Sequence, residues 1–90
     1  MDTVAFPKDY QRVMPYLIVP DPGAFIEFSR EVLGATEKMI HRDEDGTYRH
    51  CEIMVGTSVI MFSVTMEGFP SQTAGLFVYV QDADAAYARL

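Results

Sequence analysis

The sequence predicts an α+β fold: one complete βαβββ module, in which a helix packs on a curved mixed sheet, and then the first strand and helix of a second module. Three observations lead to this prediction. A strand runs directly into a helix in YLIVPDPGAFIEFSREVLGA, residues 16–35. Two glycine turns divide the following stretch into three strands. A weaker strand–helix copy, FVYVQDADAAYARL, appears at residues 77–90.

The first strand and helix are the clearest elements. Residues 13–19 are rich in β-branched and aromatic side chains, which is typical of a buried strand. Asp21 offers a carboxylate to cap a helix, and Pro22 occupies the first helical position, where its missing N–H costs nothing. Gly34 is a natural helix stop. Apolar positions recur along one helix face, at Phe25, Phe28, Val32 and Leu33, with Ser29 among them.

Three strands follow the helix, at residues 36–43, 48–55 and 58–64. Asp45-Gly46 is a strong hairpin signal, and Gly56-Thr57 forms a second tight turn. The sequence therefore predicts an antiparallel meander after the helix.

The second occurrence of a strand followed by a helix, at residues 77–90, indicates an internal repeat. Asp21 and Asp82 are 61 residues apart, which is the length of one whole βαβββ unit. Two unrelated strand–helix units are the alternative, and we prefer the repeat because of this spacing. The predicted organisation is a lead-in at residues 1–12, the first module at 13–64, a linker at 65–74 and the start of a second module at 75–90. The second module begins with a predicted strand at 75–80.

Composition excludes several classes of function. The net charge is −6 and the seven basic residues are scattered, so nucleic acid is not an expected partner. The most apolar stretch, residues 53–66, is too short and too often interrupted by polar residues to span a membrane. The N-terminus lacks the apolar run of a signal peptide. The single Cys51 fits a reducing compartment, and we expect a cytoplasmic protein with no membrane partner.

The chain resembles the vicinal oxygen chelate superfamily, which includes glyoxalase I, bleomycin-resistance proteins, extradiol dioxygenases and fosfomycin-resistance enzymes. The stretches that carry the resemblance are PYLIVPDPGAFIEFSREVLGA, DEDGTYRHCEIMVGTSVIMFS and GLFVYVQDADAAYARL. Within the superfamily the chain is most similar to the glyoxalase/bleomycin-resistance or PhnB-like subgroup. The resemblance implies two modules around one shared cavity, so three strands of the second would come from further chain or from a second chain. We expect a homodimer that forms across the first strand and residues 75–80.

Strand alternation predicts two different sheet faces. The Gly56-Thr57 turn places Val55 opposite Ser58 and Glu52 opposite Met61. If the Asp45-Gly46 turn is also tight, His41 lies opposite His50 and Met39 opposite Glu52. The apolar set, expected under the helix, is Cys51, Ile53, Val55, Ile60, Phe62 and Val64. The mixed set, typical of a ligand-lining surface, is His50, Glu52, Met54, Val59, Met61 and Ser63.

Aromatic and methionine side chains complete the candidate cavity. Aromatic rings on a sheet stack on flat or cationic ligands, or serve in the core or an interface. Methionines at positions 14, 39, 54 and 61 suggest an adaptable apolar lining. The predicted ligand-binding residues are Tyr16, Ile18, His50, Glu52, Met54, Met61, Ser63, Phe77 and Tyr79.

The resemblance also implies where a metal would bind. The metal-ligand positions of metal-using members correspond to Met14, Met61 and Gly75 in this chain, none of which is a usual ligand for a divalent metal. We therefore predict no standard metal site and no cofactor. His41, His50 and Glu52 form an alternative: a non-standard ligand set, or a partly exposed polar patch, which we favour. His50 and Glu52 are also the candidates for acid–base catalysis, provided that burial raises the carboxylate pKa.

Three functions remain open from the sequence. The leading prediction is a small-molecule-binding protein of the glyoxalase/bleomycin-resistance type without a standard metal site. The alternative is a metal-assisted lyase, isomerase or dioxygenase that uses His50 and Glu52. The third is an assembly unit without a ligand.

Overall fold

The computed structural model describes residues 4–90. The strands form one four-stranded sheet in the order β1-β4-β3-β2, in which β1 runs parallel to β4 and the other neighbours are antiparallel. This arrangement is a βαβββ module, and the predicted α+β fold class is confirmed. In chain order the elements are β1 (Tyr16–Val19), α1 (Pro22–Leu33), β2 (Thr36–Arg42), β3 (Tyr48–Val55), β4 (Ser58–Val64) and α2 (Ala83–Ala88).

Helix α1 begins and ends at the predicted residues. The Asp21 carboxylate accepts a 3.0 Å hydrogen bond from the Ala24 backbone N–H, and Pro22 opens the first turn. Gly34 ends the helix with a left-handed φ of 68°, a conformation that glycine adopts without steric cost.

The core lies between α1 and the sheet. Phe62 is fully buried, and its ring meets Phe25 of α1 edge to face, with the centroids 4.9 Å apart. Cys51, Ile53 and Ile60 are buried in the same cluster and Val55 packs against it, so the predicted apolar face is confirmed at these positions. Burial raises the pKa of the Cys51 thiol, as expected for a packed core cysteine rather than a nucleophile.

The strand registers also agree with the prediction. Glu52 has Met61 as its Cα partner on one side and Met39 on the other, and His41 is paired with His50. The pairing of β2 with β3 is interrupted by two irregularities, between Glu37 and Met39 and between His41 and Arg42.

The strands differ from the prediction at three places, the smallest of which is that β2 ends at Arg42 rather than at Asp43. β1 starts at Tyr16 rather than at Val13, which is 82% exposed, because pairing with β4 begins opposite Met61. Residues 75–80 form no strand, because no strand of the described chain pairs with them. β-propensity alone cannot make a strand without a neighbour to complete the hydrogen-bond ladder.

The second strand–helix copy retains its helix. Asp82 caps α2 by accepting a 3.0 Å hydrogen bond from the Ala85 N–H, as Asp21 does in α1. Arg89 donates 3.0 Å hydrogen bonds to the backbone carbonyls of Glu31 and Val32, which ties the end of α2 to the last turn of α1. None of the helices in residues 4–90 is both long and apolar enough to cross a membrane.

Candidate functional site

The candidate site lies on the sheet face turned away from α1, here named the distal face. Tyr16 and Glu52 share this face with Met61, since all three are Cα partners across neighbouring strands. Ile18 pairs with Ser63 and Met54 with Val59 in the same way. The structure thus brings together seven of the nine predicted ligand-binding residues: Tyr16, Ile18, His50, Glu52, Met54, Met61 and Ser63.

Glu52 is the central polar group of the distal face. It is only 3% exposed although it carries a carboxylate. The Tyr10 hydroxyl donates a 2.5 Å hydrogen bond to Oε1, and His50 Nε2 lies 2.7 Å from Oε2. Each carboxylate oxygen therefore has its own donor, as a buried charge requires.

These donors decide the charge state of Glu52. Burial acts to raise the pKa of its carboxyl, but the hydrogen bonds from Tyr10 and His50, together with the charges of His50 and Lys38, outweigh burial. The net effect lowers the pKa of Glu52, so the group is an ionised acceptor at neutral pH. The raised pKa that acid–base catalysis at neutral pH requires is therefore not found.

His50 links Glu52 to Tyr16. Its Nε2 faces Glu52, and its Nδ1 lies 3.4 Å from the Tyr16 hydroxyl on the other side of the ring. The two rings are tilted by 35° with centroids 5.8 Å apart. Tyr10, Glu52, His50 and Tyr16 thus form one continuous polar chain across the distal face.

The lead-in segment covers part of this face, which the sequence did not reveal. The Gln11 side chain donates a 2.7 Å hydrogen bond to the Val59 carbonyl and accepts a 3.2 Å bond from the Val59 N–H. The Lys38 ammonium lies 4.6 Å from the centroid of the Tyr10 ring, within cation–π distance. Tyr10 and Gln11 are functional candidates without a sequence signal, since residues 1–12 carry no periodic pattern. Lys38, on β2, is a third candidate that the sequence did not single out.

Ser63 adds an unsatisfied polar atom to the distal face. It is 1% exposed, and its Oγ has no hydrogen-bond partner among the described residues. A buried hydroxyl without a partner costs about 1–3 kcal/mol of folding free energy. This is one place on the face where a further hydrogen bond would stabilise the protein.

Phe77 and Tyr79 lie apart from the other predicted ligand-binding residues and belong to no strand. Their rings meet edge to face at 5.2 Å, and they are 85% and 91% exposed. They border an open cleft of about 330 Å³ at the β3–β4 turn, where Ser58 and Val59 lie opposite them. No described contact joins either ring to His50 or Glu52, because residues 75–80 are not held in the sheet.

The residues at the positions where the fold family implies metal ligands do not fit a metal ion. Met61 lies in the sheet between Tyr16 and Glu52, and Met14 precedes β1. Within residues 4–90, no three His, Cys, Asp or Glu side chains come together in a way that could hold a metal ion. His41 is paired with His50 through the backbone but is exposed, so the alternative set of His41, His50 and Glu52 is not assembled.

Comparisons with known proteins agree with the fold. The solved structure of TioX from Micromonospora sp. ML1 matches with a TM-score of 0.60 and 24% sequence identity, covering 88% of this chain and 67% of that chain. No family model matches the sequence, and no curated protein matches it. At this level of identity the likeness is one of fold, and it agrees with the mixed α+β arrangement of a four-stranded sheet and one packing helix.

Proposed function

We propose that this protein binds a small molecule on the distal face and belongs, within the superfamily, to the glyoxalase/bleomycin-resistance type, nearest its PhnB-like subgroup. The observation that carries the proposal is Glu52, an ionised carboxylate that is 3% exposed and held by two donors. Fold alone does not define function, so the proposal rests on this site.

The surroundings of Glu52 are those of a ligand site. Its Cα partners on both sides are methionines, Met39 and Met61, whose flexible side chains adapt to differently shaped apolar ligands. Small-molecule sites are mostly apolar with a few placed polar groups that fix orientation. Glu52, His50 and the Tyr16 hydroxyl supply these polar groups.

A thermal-shift screen of varied small molecules tests this proposal. At least one compound is expected to raise the melting temperature of the unmodified protein, and Glu52→Ala is expected to abolish that shift. Glu67→Ala is the matched control, because Glu67 is an exposed carboxylate outside the sheet. A broad screen without any binder, or a shift that survives Glu52→Ala, contradicts the proposal.

A metal-assisted lyase, isomerase or dioxygenase is the second candidate. The observation that favours it is the 2.7 Å pairing of His50 Nε2 with Glu52, two groups that also serve as metal ligands. Elemental analysis of the purified protein distinguishes the two functions. Stoichiometric zinc, nickel, manganese or iron that is lost in His50→Ala would support the enzyme, and its absence would support the binding protein.

We further propose that two copies associate in the cytoplasm. Large apolar side chains are left exposed along residues 75–80, with Phe77 85% and Tyr79 91% exposed, and apolar surface of this kind is normally covered. The buried free thiol of Cys51 suits a reducing compartment. Light scattering at micromolar concentration is expected to show a dimer, which Phe77→Ser/Tyr79→Ser shifts toward monomer. A well-folded monomer of the unmodified protein contradicts this proposal and leaves ligand binding to be judged separately.

A further inference from the structure

Tyr10 occupies the polar centre of the distal face. Its hydroxyl lies 2.5 Å from Glu52 Oε1, across 42 residues of sequence. The contact comes from a segment that belongs to no helix or strand. Asp9 closes a turn there with a left-handed φ of 69°, and the Tyr10 N–H donates a 3.3 Å bond to the Pro7 carbonyl. The turn places a phenol side chain against the carboxylate that the proposed function assigns to ligand recognition.

We propose that Tyr10 stands in the ligand's place, and that the ligand is a phenol, which displaces Tyr10 and donates its own hydroxyl proton to Glu52. This inference rests on the proposed function and adds the chemical class of the ligand. The Tyr10 side chain itself supplies the evidence, because a site that accepts one phenol has the shape and polarity for another.

The charges around Glu52 limit what can replace Tyr10. An ionised carboxylate only accepts hydrogen bonds, so a group that replaces Tyr10 has to be a donor. Both ammonium and phenol groups donate, but the Lys38 ammonium lies 4.6 Å from the ring centroid of Tyr10. A second cation there would be repelled, whereas an electron-rich aromatic ring is attracted. The phenol is therefore favoured over the amine.

The lead-in meets the sheet here through side chains, which makes it displaceable. Tyr10 bonds to Glu52, and Gln11 pairs with both backbone groups of Val59. Residues 4–9 are exposed and add no strand to the sheet. Segments with few buried apolar groups open at low free-energy cost compared with core strands. A ligand that competes with Tyr10 thus leaves the sheet intact.

Ser63 is a further polar group on the same face. Its Oγ is buried and has no partner among the described residues, while Tyr10 already satisfies one oxygen of Glu52. The intramolecular phenol therefore leaves one polar group of the face unsatisfied.

The test uses para-cresol, which is the Tyr10 side chain as a free molecule, and full-length Tyr10→Ala. Calorimetry is expected to show saturable binding of para-cresol to Tyr10→Ala that is at least about tenfold tighter than to the unmodified protein, since the competing charged hydrogen bond is gone. Toluene, which lacks the donor, and para-methylbenzylamine, which carries a cation, are expected to bind at least about tenfold more weakly. Equal binding by both proteins, or toluene and para-cresol binding alike, overturns the proposal.

Two further variants keep the proposal testable if Tyr10→Ala does not fold. Gln11→Ala retains Tyr10 but removes the side chain that pairs with Val59, so para-cresol is expected to bind it more tightly than the unmodified protein. Unchanged affinity in Gln11→Ala overturns displacement of the lead-in. In whichever of these backgrounds folds, adding Glu52→Gln is expected to weaken para-cresol binding about tenfold, and unchanged binding overturns the role of the carboxylate.

The outcome also separates this inference from the proposed function. If other compounds bind in a Glu52-dependent manner while para-cresol does not, the phenol inference fails and the binding function stands. If no compound binds, both fail.

Discussion

His50 Nε2 lies 2.7 Å from Glu52 Oε2, although the two residues are next-but-one neighbours on the same strand. Alternate residues of a strand project from the same face and are spaced by about 6.6 Å along it, so the two side chains lean toward each other to make this contact. The hydrogen bond holds the imidazole with Nδ1 turned toward the Tyr16 hydroxyl, 3.4 Å away. It also fixes one oxygen of a carboxylate that water hardly reaches.

The lowered pKa of Glu52 predicts how stability depends on pH. Because its pKa in the folded protein is below the usual 4.5, ionised Glu52 stabilises the fold at pH values above that figure. This contribution is lost as the pH falls through the folded-state pKa. Urea unfolding between pH 7 and pH 3 is expected to show a declining free energy of unfolding, and Glu52→Gln is expected to flatten the decline and cost about 1–3 kcal/mol at pH 7.

Glu67→Gln is the control for this measurement. Glu67 is exposed and lies outside the sheet, so its substitution should leave both the stability at pH 7 and the shape of the pH profile nearly unchanged. An acid decline as steep in Glu52→Gln as in the unmodified protein would contradict the assignment.

Phe62 is expected to be the most sensitive core position. It is fully buried and meets Phe25 of α1, so Phe62→Ala should cost about 3–5 kcal/mol, enough to unfold much of a domain of this size. Phe62→Leu, which keeps most of the volume, should cost less and remain measurable by urea unfolding. Phe28→Ala on the same helix is the control, because Phe28 is 44% exposed. A loss in Phe28→Ala equal to that in Phe62→Ala would show that the core is elsewhere.

The Asp21 cap gives a smaller, separate prediction. Asp21→Ala removes the acceptor for the Ala24 N–H and is expected to cost about 1 kcal/mol in the free energy of unfolding. Asp21→Asn keeps an acceptor oxygen and should stay within about 0.5 kcal/mol of the unmodified protein. Equal losses in the two variants would mean that the charge, rather than the hydrogen bond, stabilises α1.

The sequence was sufficient for the module because its signals are local. Asp21, Pro22 and Gly34 mark the two ends of α1 within a few residues. The turn at Gly56 fixes the register of β3 on β4, and alternation then assigns every side chain to a face. For this reason the distal placement of His50 and Glu52 could be predicted before any contact was known.

What the sequence did not predict depends on distant contacts. The Tyr10–Glu52 hydrogen bond spans 42 residues and arises from a segment without a periodic pattern. Together with the contact from His50, it outweighs the effect of burial on the pKa of Glu52, which acid–base catalysis would have required to be raised. Residues 75–80 have strand-like composition, but a strand also needs a partner, which local sequence does not reveal.

Met61→Glu provides the final prediction, on metal binding. Met61 is the Cα partner of Glu52 and of Tyr16, so a carboxylate at position 61 would lie beside a buried carboxylate. The two charges repel each other, which should destabilise the fold at pH 7 and raise the pKa of at least one of them. Met61→Gln, which has nearly the same shape without the charge, is the control and should not show the added pH dependence. We expect calorimetry with zinc to show no tighter binding by Met61→Glu than by the unmodified protein, because both oxygens of Glu52 are already engaged by Tyr10 and His50, and the places corresponding to Met14 and Gly75 offer no ligand. Tight, stoichiometric zinc binding by either protein would show that the distal face is a metal site and would overturn the proposal of a metal-free binding protein.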